Sequence, residues 1–93
     1  MYQQKTKFNF DLINGLFSKE DSLKILFTLI NDKIKFHQME LFSASEKYGE
    51  ENQISKQRIE ELQNCKKHLR EYIAKLDNST ILNLNANIQI EEL

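Results

Sequence analysis

Four side chains in the middle of the sequence have types and spacing that suit metal chemistry: His37, Glu61, Cys65 and His68. Glu61, Cys65 and His68 follow at steps of four and three, which lays a carboxylate, a thiol and an imidazole along one stripe of a helix. With His37 supplied by a facing helix they would form a zinc-ligand set, since helices of a bundle present ligands in this way. Structural zinc sites usually carry paired cysteines, and this chain has one cysteine in all. The plainer expectation makes Cys65 a small buried hydrophobe, His68 a solvated residue and His37 a histidine at the edge of a core. Other chemistry finds less footing. The two glycines, Gly15 and Gly49, form no phosphate-binding loop, and neither Arg58 nor Arg70 closely precedes a histidine for acid and base work. The expectation is a non-enzymatic protein with no cofactor.

Those four residues need helices to position them, and the sequence supplies two. Leu23, Phe27, Ile30, Ile34, His37, Leu41, Ala44 and Tyr48 recur at alternating steps of four and three, one stripe of an α-helix. Ser18 stands where an N-cap belongs, with Glu20 and Asp21 in the first turn. Gly49 stands where a C-terminal glycine closes a helix. A second stripe runs through Ile59, Leu62, Cys65, Leu69, Tyr72, Ile73 and Leu76, with charged residues over the rest of that helix. The short connection, Tyr48 to Asn52, predicts an antiparallel hairpin, and counting from it puts His37 opposite residues 62–66.

A strand-like segment flanks the hairpin on each side. Thr6, Phe8, Phe10 and Leu12 alternate with Lys5, Lys7, Asn9 and Asp11, after which Asn14-Gly15 predicts a turn. Asp11 to Phe17 as a short helical turn is the rival reading. Leu82, Leu84, Ala86, Ile88 and Ile90 alternate with Asn83, Asn85, Asn87, Gln89 and Glu91. Between the second helix and this strand, Asn78-Ser79-Thr80 reads as a polar turn. The expected fold is α+β, predominantly α: one domain, 1–93, with a strand at about 5–12, helices at about 19–48 and 52–77 and a strand at about 80–91, the strands able to pair antiparallel.

More apolar surface is present than such a hairpin can cover. Ile25, Leu26, Leu29, Phe36, Met39 and Phe42 all lie off the first stripe, and a helix meeting one partner shows one stripe only. The strands could cover the first three. Together these six residues are the expected interaction surface. A homodimer, joined through helices, strands or both, is the expected way of covering it, with another protein as the alternative partner.

Composition narrows the function classes. The 93 residues carry a net charge of −1 with 40% hydrophobic and 29% charged residues, which is globular composition without a strong attraction for nucleic acid or anionic membrane. Lys66-Lys67-His68-Leu69-Arg70 is basic, but Glu60, Glu61 and Glu71 flank it, so it reads as a solvated helix face. No apolar run approaches a membrane span, and the N-terminus lacks the apolar core of a signal peptide. A cytoplasmic protein is the expectation. The order strand, helix, helix, with Lys5, Lys7 and Asn9 outward, resembles the ribbon-helix-helix repressors, which lay paired strands in the major groove. That resemblance covers only the order of elements, and it implies a DNA-binding regulator with a dimeric N-terminal ribbon as an alternative function.

Overall fold

The computed structural model describes residues 4–48 and 53–93, and only the backbone of residues 44–48. Four elements follow in the expected order: β1 (Lys7–Ser18), α1 (Lys19–Tyr48), α2 (Gln53–Ala74) and β2 (Ile81–Glu91). The two strands pair antiparallel as a two-stranded sheet. The fold is thus the α+β hairpin flanked by strands.

The joints between ribbon and hairpin are built from capping contacts. Ser18 Oγ accepts the Asp21 backbone N–H at 3.1 Å, so Ser18 is the N-cap of α1. Helix α2 stops at Ala74, short of the expected residue 77, because the Leu76 N–H turns back to the Ile73 carbonyl at 3.1 Å. Lys19 Nζ donates to the Leu76 carbonyl at 2.7 Å, setting an ammonium at the negative end of α2. Asp77 Oδ1 then accepts from the Ser79 backbone N–H and from its hydroxyl, both at 3.0 Å, which turns the chain into β2. The backbone bond and then the hydroxyl bond from Ser79 hold the Asp77 carboxyl below its ordinary value; desolvation opposes them, and the Lys19 charge adds the least of the four effects. Asn78-Ser79-Thr80 is part of this turn, as expected. The expected glycine cap at Gly49 and the helix start at residue 52 lie outside the described residues.

β1 corrects the sequence reading. Neither the turn at Asn14-Gly15 nor the helical turn from Asp11 to Phe17 is present; the strand continues past residue 12 to Ser18, with Asn14 opposite Asn85 and Gly15 opposite Leu84. A β-bulge between Asp11 and Ile13 leaves Leu12 without a partner and shifts the alternation by one. Phe8 and Phe10 share a face with Ile13, Gly15 and Phe17, opposite Ile90, Ile88, Ala86, Leu84 and Leu82. Asn-Gly favours a hairpin when the pairing strand follows directly. Here the partner strand lies at the other end of the chain, and its ladder overrides the local preference.

The hairpin also pairs differently from the count. Asn31 accepts from Lys66 Nζ at 2.8 Å, Phe27 lies 5.2 Å from the Arg70 guanidinium, and Glu40 accepts from Ser55 Oγ at 2.7 Å. Each facing residue therefore comes several positions earlier in α2 than expected. The seam of α1 stands as far as Leu41, with Ile34 buried and its neighbours half-buried; the side chains of Ala44 and Tyr48 lie outside the described residues. On α2 the inward row is Ser55, Ile59, Leu62, Lys66, Leu69 and Ile73, again at steps of four and three, and Leu76 continues it just past the helix end. Cys65 and Tyr72, expected in that row, are exposed.

Seen whole, the chain forms a single layer. It measures 52 × 43 × 14 Å with a radius of gyration of 17.6 Å, whereas about 12 Å is usual for this length. Only Ile13, Ile34 and Ile73 are buried hydrophobic side chains among the described residues. Domains close their cores between two packed layers. This chain supplies one.

Candidate interaction surface

The most apolar surface lies on two arms that diverge from a shared corner. At the corner, Leu12 and Ile13 of β1 meet Ile25 and Leu29 of α1 around a shallow, open groove of about 400 Å³. The strands were expected to cover Ile25, Leu26 and Leu29; Ile25 and Leu26 are half-buried, while Leu29 remains exposed. From there α1 leaves the ribbon. Phe36, Met39 and Phe42 project from its outer side at 52%, 64% and 70% exposure. Lys33 Nζ rests 5.0 Å above the Phe36 ring, a cation–π contact, and His37 meets the same ring edge-on at 5.4 Å.

The second arm is the free half of the ribbon. Phe8, Phe10, Ile88 and Ile90 share one face, with Phe8 63% exposed and 5.9 Å from Phe10. The same face of the ribbon nearer the corner carries Leu82, Leu84 and Ala86, which are half-buried. Residues 8, 10, 88 and 90 are part of the apolar surface that the sequence reading missed. Their alternation signals that a face is apolar, but gives no measure of how far along the ribbon that face is covered.

The four metal-ligand candidates are split between two places. His37 lines a groove with Lys33, Ile54, Gln57, Arg58 and Glu61, while Glu61, Cys65 and His68 line another with Asn64, Leu69 and Tyr72. His37 faces Ser55 rather than residues 62–66: its Nδ1 lies 3.4 Å from Ser55 Oγ and 3.5 Å from Glu40 Oε2. Glu61 pairs with Arg58 at 2.8 Å. Cys65, expected as a small buried hydrophobe, is exposed. Among the described residues, no three His, Cys, Asp or Glu side chains converge as a metal would need. The cause is the shifted pairing of the helices, which carries His37 well past Cys65.

Polar groups inside the hairpin give it a fixed register instead. Ser55 is 2% exposed and donates to Glu40, and Lys66 sits half-buried in the seam with its ammonium on Asn31 and 5.4 Å from the Phe27 ring. The basic run at 66–70 is therefore not wholly a solvated face. A buried Lys stem with a satisfied head suits this position, since long cationic side chains cover apolar surface with their methylenes. Its signal in the sequence is the unbroken four-three spacing from Ser55 to Leu76, visible only if polar residues are admitted to the row.

The ribbon-helix-helix resemblance stops at the order of elements. β1 pairs with β2 of its own chain, and Asp11 and Glu91 stand among Lys7 and Asn9 on the same polar face. Among the described residues no helix is long and apolar enough to cross a membrane. Compared with family models, curated proteins and solved structures, the chain matches none of them.

Proposed function

We propose that this chain is a non-enzymatic structural or interaction protein, and that its working form is a homodimer. One observation carries the reading. The chain exposes 7907 Å² of surface, whereas a compact monomer of its mass exposes roughly 5,700 Å². The excess, roughly 2,200 Å² per chain, falls in the range that obligate interfaces bury. It includes the outer face of α1 and the free half of the ribbon, both apolar and both left open in a one-layer molecule. A second copy supports cover for both at once, and two-fold dimers are the commonest closed assemblies.

Light scattering over a concentration series tests this. The expected result is a mass of twice 11.1 kDa that persists on dilution. A chain that stays at its single mass at every concentration would overturn the dimer and direct attention to a different protein as the cover.

A further inference from the structure

The two edges of the ribbon are unequally protected, and the difference identifies a site for the second copy. The β1 edge is interrupted by the bulge at Asp11 to Ile13 and carries Lys7 and Asp11, the devices that keep strand edges from pairing. β2 has no bulge of its own, and its one charged residue, Glu91, is its last. From Ile81 to Ile90 it has no charge, no proline, no glycine and no bulge in its own run. Nor does either helix shield it well: α2 makes no close approach to β2, and α1 makes few contacts with it.

The hydrogen-bond ladder shows which backbone groups are free. The Glu92 N–H donates to the Thr6 carbonyl at 3.0 Å, so residue 92 faces β1. Counting back in twos, residues 90, 88, 86, 84 and 82 also face β1. The N–H and C=O groups of residues 81, 83, 85, 87, 89 and 91 therefore point away from it, along an open edge.

We propose that this edge pairs antiparallel with the β2 of a second copy about a two-fold axis at Ala86, making a four-stranded sheet β1-β2-β2-β1. The inference rests on the dimer proposed above and gives it a place and a register. Three features favour the second copy over another strand. First, β2 is close to palindromic about Ala86: Asn85 meets the partner's Asn87, Asn83 the partner's Gln89, Leu84 the partner's Ile88 and Leu82 the partner's Ile90. Amides meet amides and aliphatics meet aliphatics, while Glu91 meets the partner's Ile81, so no like charges oppose. Second, this register overlaps the whole of Ile81–Glu91 and sets the smallest side chain of the strand on the axis, in a non-hydrogen-bonded pair where two copies of one residue come closest. Third, it brings the exposed Ile88 and Ile90 of each copy beside the half-buried Leu84 and Leu82 of the other ribbon.

The test uses the full chain with Cys65→Ser, which removes the exposed native thiol, and adds Ala86→Cys. Across the axis two such cysteines would lie with Cα atoms about 4.5 Å apart, within disulfide reach. Mild oxidation is expected to link most of the chain as a dimer on a non-reducing gel. Asn83→Cys in the same background is the control: its two copies lie six residues out of register, about 20 Å apart at ~3.3 Å per residue, and are expected to stay unlinked. Asn85→Lys with Asn87→Lys, both exposed in the single chain, sets lysines against lysines across the axis and is expected to weaken dimerisation at least tenfold with the circular dichroism unchanged. If light scattering gives a dimer while Ala86→Cys links no better than Asn83→Cys, or while the lysine pair leaves the affinity unaltered, the edge pairing is overturned and the dimer stands. If the parent chain is a monomer at every concentration, both fall.

Discussion

The hairpin and the ribbon solve the burial problem to different degrees. Each helix carries a row at steps of four and three, and the two rows meet, so the pair covers its own seam within one chain. The ribbon pairs strand against strand on either side of its bulge, yet half of its apolar face stays open. Hydrogen bonding between two strands fixes their register but covers neither face, which is why an isolated two-stranded ribbon is marginal in water. The difference shows where this chain is complete and where it needs more chain.

The largest test of that contrast lies on α2, in two adjacent residues. Ile73 is 1% exposed and Tyr72 is 62% exposed. Ile73→Ala should cost about 3 kcal/mol by deleting a fully enclosed side chain, whereas Tyr72→Ala should cost less than about 0.5 kcal/mol. Urea unfolding measures both; equal losses would mean that the seam has been assigned to the wrong row. Next in size is the joint at Ser18. Ser18→Ala removes the acceptor for the Asp21 N–H and should lower stability by about 1 kcal/mol. A smaller loss would mean that the ribbon holds the start of α1 in place without its cap.

On the ribbon side the expected effect is smaller still in the single chain. Phe8 and Ile90 are direct cross-strand neighbours with their faces open. Replacing both with alanine should cost about 0.5 kcal/mol at dilutions where the chain is alone, the usual worth of such a pair. At concentrations where the chain self-associates, the same double variant should lose more, because it strips the interface as well. A loss that does not vary with concentration would place Phe8 and Ile90 outside any interface.

The same contrast explains what the sequence could disclose. α1 was legible from Leu23 to Leu41 because its seam is apolar apart from His37. The surplus on Phe36, Met39 and Phe42 was legible for the same reason: those residues fit no position in the seam. On α2 residue type and spacing disagree. Cys65 and Tyr72 look more buried than Ser55 and Lys66, but the four-three spacing favours the latter pair, whose polar heads find Glu40 and Asn31. The outward placement of Cys65 and the shifted helix register together keep His37 away from Cys65 and His68. β1 was the least legible element. Its bulge and its pairing with residues some seventy positions away leave no local trace, and Asn14-Gly15 carries a turn signal that only the distant strand cancels.

The smallest effect is expected at the other joint, where Asp77 turns the end of α2 into β2. Its carboxylate accepts two bonds from Ser79 and lies near the Lys19 charge, which together lower its affinity for a proton in the folded chain relative to the ordinary value of 3.8. A group lowered in this way adds stability above its unfolded value, and that contribution fades as pH falls through the folded one. Because Asp77 is fully exposed, solvent screens most of the effect. Asp77→Asn keeps an oxygen that can accept from the Ser79 N–H but has no charge to titrate. The variant should therefore be slightly less stable than the parent near neutral pH, and the gap should close as the pH is taken below about 3.8. Unfolding midpoints measured side by side across that range decide the matter. A gap that stays constant would assign the role of Asp77 to the shape of the turn, and one that widens in acid would contradict the lowered proton affinity itself.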